Sequence, residues 1–165
     1  MKKLLLILIL GFTSIIVFAQ EFTVPNDFSA NKPEDYAKYE SDVVKCVDWL
    51  MNTAINEQTQ KRKEAYAFFM KWLTGTPVVS VAVGEKIVTF MNNPDLLLIF
   101  MGGWAKYALE SKDYKNTYMG NLKGIEAVIG FYQKNKESIH KDKNVEKYIK
   151  MKENGSLEDF IKKNI

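Results

Sequence analysis

The residues that could carry catalysis in this chain are few. There is one histidine, His140, and one cysteine, Cys46. A hydrolytic triad would have to use His140, with Ser138 and Asp142 beside it in Ser138-Ile139-His140-Lys141-Asp142. A nucleophile needs a rigid turn to present it and a base held against it. This stretch reads instead as a solvated loop between lysines. One His and one Cys are too few for a His/Cys metal cluster. No calcium loop with alternating oxygen ligands around a central Gly occurs. Neither C-x-x-C-H nor G-x-x-x-x-G-K-[ST] is present. No catalytic, metal-ligating or cofactor-binding residue is therefore assigned, and no cofactor is expected.

Carboxylate chemistry is harder to exclude, because two acids can meet in space without any sequence signature. Asp48 and Glu126 lie closest to apolar stripes, and both read as boundary residues. The aromatic content is 13%, and Trp49, Trp72 and Trp104 fall on different expected helices. Aromatics at helical spacing fill cores. The exception is Gly102-Gly103-Trp104 with Tyr107, where missing side chains beside aromatic rings could leave a ligand groove. These four residues are the candidate binding site.

The elements that must position them are helical. Pro33 opens a first helix to about 53, with Tyr36, Tyr39, Val43, Val47 and Leu50 as its stripe. A second runs from about Glu57 to Leu73, polar and exposed through EQTQKRKE, then apolar; Gly75 is read as its C-terminal cap. Val79-Ser80-Val81-Ala82-Val83 is strand-like but has no obvious partner strand. The favoured reading of 77–91 is an extended segment near 78–83 followed by a short helix, Glu85–Met91. One helix capped by Thr76-Pro77 is the alternative.

Asn93-Pro94-Asp95 is a helix start of cap, Pro and acid. It opens a helix to Glu110 that is apolar all round over 96–101, the mark of a buried central element. Gly102-Gly103 within it costs roughly 1 kcal/mol per Gly against Ala, so a close helix neighbour is expected there. Asp113 is read as capping a fifth helix to about Asn135, with Gly120, Gly124 and Gly130 near its stripe. Asp142 caps a sixth, ended by Asn154-Gly155. Ser156 opens a capping box and a last short helix to Ile165. Lys112-Asp113-Tyr114 with GIEAVIGFYQKN resembles the turn and second helix of a tetratricopeptide unit. The spacing from Gly103 does not fit that repeat and no second copy follows, so no solenoid is expected.

Residues 1–19 have the layout of a bacterial-type secretory signal: Lys2-Lys3, an apolar run from Leu4 to Phe18, and Val17-Phe18-Ala19 before Gln20. Cleavage is expected between Ala19 and Gln20, with a retained N-terminal anchor as the alternative. Residues 20–32 read as an extended lead-in and 33–165 as a single helical domain. Formal net charge is +3, and removing Lys2 and Lys3 leaves 21 basic against 20 acidic groups, or +1. Arg62 is the only arginine, whereas nucleic-acid binders use clustered basic faces in which Arg reads bases. No nucleic-acid partner is expected, no stable membrane span after signal cleavage, and no disulfide within the chain.

The expected fold is all-α: a compact bundle or helical-hairpin array of about six helices. The expected role is an exported, periplasmic or secreted, non-enzymatic module that binds a protein, peptide or small apolar ligand. A carboxylate-based small hydrolase or lyase with a cleft between helices is one alternative. An envelope-surface structural or stress protein acting through the Lys-rich segment 134–152 is the other.

Overall fold

The computed structural model describes residues 22–165. The expected signal 1–19 and its Ala19–Gln20 cleavage point lie outside the described residues. Six α-helices follow a 3₁₀ segment, Pro33–Tyr39: α1 Glu40–Asn52, α2 Thr59–Gly75, α3 Pro94–Ser111, α4 Thr117–Lys134, α5 Lys143–Glu153 and α6 Leu157–Asn164. Among the described residues there is no strand, and the helices pack as a bundle. No helix there is long and apolar enough to cross a membrane.

α3 is the central element. It packs most extensively on α4, then on α1 and α2. Its start is the expected one: Asn93 Oδ1 accepts from Leu96 N at 3.2 Å and Pro94 takes the first position. Leu96, Ile99, Phe100, Trp104, Ala105, Ala108 and Leu109 are buried. The glycine pair is accounted for by two neighbours on different sides. A Cβ on Gly102 would stand 3.2 Å from Val47 of α1; one on Gly103 would stand 2.6 Å from Ala127 Cβ and 2.7 Å from Lys123 O of α4. The α3 and α4 backbones approach closely because Gly103 meets only small side chain and main chain on α4, at Ala127, Lys123 O and Gly124.

Several local expectations are corrected. The first helix is not uniform: Pro33–Tyr39 is 3₁₀, with Asp35 Oδ2 accepting from the Asn31 and Lys32 N–H groups, both at 3.1 Å. EQTQKRKE is not wholly exposed, because Arg62 is only 4% exposed. Its guanidinium donates to the carbonyls of Leu50 (3.3 Å), Thr53 (2.7 Å) and Ala54 (3.1 Å), where α1 ends. Gly75 is the last residue of α2 rather than a cap; a Cβ there would run into the Tyr36 hydroxyl.

The short helix Glu85–Met91 is replaced by turns, in which the Gly84 carbonyl accepts from both Ile87 N and Val88 N. Asp113 does not cap α4. Its Oδ2 accepts from Tyr107 Oη (3.0 Å) and Asn116 Nδ2 (2.9 Å), and Asn116 Oδ1 caps the helix by accepting from Met119 N. Ser156 makes no side-chain cap; its Oγ donates to Asn154 Oδ1 at 2.6 Å. Asp142 caps α5 as expected, accepting from Asn144 N and Val145 N.

The lead-in is part of the core. Phe22 is buried, with its ring centroid 6.3 Å from Trp49 and 6.4 Å from Phe68. Phe28 meets Tyr36, Tyr39 and Phe68, and Lys71 donates to its carbonyl. Residues 22–32 thus lie as a non-helical strap on α1 and α2.

Candidate ligand cleft between α3 and α4

Small residues bring α3 and α4 together, and the longer side chains flanking the contact stand up as walls. Between them lies a cleft of about 300 Å³. Buried Gly103 and Ala127 line it, with half-buried Met51 from the end of α1 and Tyr107 one helical turn beyond Gly103. Lys106 and Glu110 of α3, and Lys123 and Glu126 of α4, complete the lining.

The charged groups are paired. Lys106 bridges to Asp48 of α1 and lies 3.6 Å from Glu110. Glu126 is held by Lys123 at 2.8 Å and faces Lys152 of α5 at 3.8 Å. The Tyr107 hydroxyl is turned away to Asp113, so its ring, rather than its oxygen, serves the cleft. Burial, and then donation to that carboxylate, raises the Tyr107 phenol above its ordinary range. The result is an apolar notch with alternating charge on its rim, able to seat an apolar or aromatic group and meet a charge of either sign at the edge.

The four groove candidates divide. Gly103 and Tyr107 line the cleft. Gly102 faces Val47 instead, and Trp104 is buried against Gly120 and the Phe100 ring. Successive helical residues lie about 100° apart, so a contiguous triplet cannot share one face. The spacing Gly103, Lys106, Tyr107, Glu110 is the helical face that continues the site. On α4, Lys123, Glu126 and Ala127 needed knowledge of which helices pair.

Asp48 and Glu126 are ion-paired at this boundary. Ser138 and His140 are exposed, and Asp142 is engaged as a helix cap. Among the described residues no group of three or more His, Cys, Asp or Glu is placed to hold a metal ion. Cys46 is buried, its Sγ 3.5 Å from Ala65 O, and the chain's single cysteine allows no internal disulfide. Compared with known proteins, the chain matches no family model, no curated protein and no solved structure.

Proposed function

We propose that this chain is an exported binding module, periplasmic or secreted, whose ligand is a compact apolar or aromatic molecule bearing a charged group. The observation that carries the reading is the α3–α4 cleft: Gly103 and Ala127 within it, the Met51 and Tyr107 side chains beside them, and lysines and glutamates at its rim. Its size lies at the small end of the range for ligand pockets, roughly 300–1,000 Å³, which fits a single-ring compound. Residues 1–19 supply the export address in this reading.

The test is an NMR titration with benzoate, benzylamine and phenol, which share a ring and differ in charge. The expected result is saturable shifts confined to the amides around Met51, Gly103, Tyr107 and Ala127 with at least one probe. Met51→Glu should weaken that binding by introducing a charge beside the apolar lining. Absence of localised shifts with all three probes at millimolar concentration would overturn the reading.

A hydrolase or lyase is the second reading, favoured by one observation: Glu110 and Glu126 line the same cleft. Both carboxylates already face lysines, which leaves them less available to a substrate. Glu110→Gln with Glu126→Gln separates the two readings. Binding of uncharged phenol, which needs no rim charge, survives the double substitution in a binding module, whereas turnover in an enzyme is lost.

A further inference from the structure

The turn between α5 and α6 is built from Asn154-Gly155-Ser156, and the chain contains no other Asn-Gly pair. All three residues are exposed. The turn is a Schellman motif. Ser156 N donates to Met151 O at 2.8 Å, Gly155 N donates to Lys152 O at 3.3 Å, and Gly155 takes φ 75°. The side-chain amide of Asn154 is bonded to the same turn. Its Oδ1 accepts from Ser156 Oγ at 2.6 Å and from Ser156 N at 3.1 Å. Two donors on one amide oxygen draw electrons from Cγ. They also stand ready for the negative charge that an attack on Cγ would place on that oxygen. The adjacent nucleophile is only weakly engaged, because the Gly155 N–H bond is longer than the usual value of about 2.9–3.0 Å. Gly155 has no side chain to obstruct an approach, and a Cβ there would meet nothing within 4 Å.

We propose that Asn154 is a site of self-modification. The Gly155 main-chain nitrogen gives up its proton to water and bonds to Asn154 Cγ. The Cγ–Nδ2 bond breaks, and Nδ2 takes a proton from solvent and leaves as ammonia. Water then opens the five-membered imide at one of its two carbonyls. Breaking the new N–Cγ bond leaves aspartate. Breaking the original peptide C–N bond leaves isoaspartate, in which the main chain runs through Cβ and Cγ. No atom changes oxidation state, and water is the only co-reactant. Aspartate keeps an acceptor for Ser156. Isoaspartate lengthens the main chain by one atom inside a turn closed by two hydrogen bonds, so both bonds cannot be kept. Leu157 and Ile161, the side chains by which α6 is buried, are then loosened from the core.

Peptide mapping by mass spectrometry tests this on native protein, expressed from the full reading frame and held at neutral pH and body temperature. The peptide holding Asn154 should gain the mass difference between an amide and a carboxyl, ahead of every other asparagine, with aspartate and isoaspartate both present. Ser156→Ala removes the short Oγ bond at an exposed position. It should slow the native reaction by roughly three- to tenfold, the worth of one hydrogen bond in the transition state. In urea, where that donor is no longer held, the two proteins should react at the same rate. Protein enriched in isoaspartate should exchange the amides of Leu157–Asn164 faster than unmodified protein. An Asn154 that stays intact in the native protein while the urea-unfolded chain reacts would overturn the proposal. So would a native Ser156→Ala that reacts as fast as the wild type, or a difference between the two that persists in urea. Unchanged exchange in α6 would overturn the coupling to that helix.

Discussion

The indole of Trp104 lies directly on Gly120: a Cβ added to Gly120 would come within 2.2 Å of Trp104 Cε2. The indole is 4% exposed and has no open side to move toward. Gly120→Ala is therefore expected to lower stability by about 1–3 kcal/mol through overpacking. In a Trp104→Phe background the same substitution should be milder, because the smaller ring vacates the space. A double-mutant cycle in urea measures this coupling, and strict additivity would contradict the contact.

Gly130, on the same helix, predicts the opposite sign. A Cβ there meets nothing within 4 Å, and the residue is exposed. Gly130→Ala should raise stability by about 0.5–1 kcal/mol, through helix propensity and lost unfolded-state freedom. Thermal melts of the two alanine variants should move to opposite sides of the wild type.

Arg62 is a buried cation that donates to main-chain carbonyls at the end of α1 and to the Tyr66 hydroxyl. It also receives the faces of Trp49, Tyr66 and Phe131 at 5.6–5.8 Å. Arg62→Met would leave the Thr53 and Ala54 carbonyls without this donor, at an expected loss of about 2–4 kcal/mol. A chemical-denaturation midpoint unchanged from the wild type would remove the guanidinium from the account of why α1 ends there.

Burial holds the Cys46 thiol well above its ordinary range, and the thiolate is the reactive form. Alkylation of the native protein should be slow at neutral pH and should become fast on unfolding in denaturant. Rapid native labelling would contradict the burial.

The Tyr118 hydroxyl donates to Glu158 at 2.8 Å; that bond first, then desolvation and neighbouring acids, pushes its phenol up to about 12. An unfolded tyrosine titrates near 10. Above that pH the unfolded chain loses a proton that the folded chain keeps. The contribution is thus complete below about 10 and is lost as pH rises to about 12. Tyr118→Phe should flatten the decline of stability over this window in denaturant melts. Parallel profiles for the two proteins would rule out this link.

The parts of the fold legible in the sequence are those in which a side chain bonds its own neighbours. Asn93-Pro94, Asp142 and Asn154-Gly155 mark real boundaries, because cap, ring and left-handed glycine (Gly155 φ 75°) act within a few residues. Asp113 has the residue type of a cap, but Tyr107, six residues earlier, takes its carboxylate and Asn116 caps α4 instead. Arg62 reads as one more polar surface residue until α1 is seen to end beside it. The same division holds at the cleft. Gly103 and Tyr107 share a helical face that spacing alone can find. Met51, Lys123, Glu126 and Ala127 reach it only through the pairing of α1, α3 and α4. Trp104 stood out by type, yet its ring serves the α3–α4 core.

The seating of Phe22 on Trp49 and Phe68 bears on the order in which the molecule is completed. A chain made from its N-terminus releases Phe22 and Phe28 before either α1 or α2 exists. Their seats are finished only when Phe68 has followed, so this segment must wait for both α1 and α2 before it can be closed over. Until then two aromatic side chains remain open to whatever first meets the nascent chain.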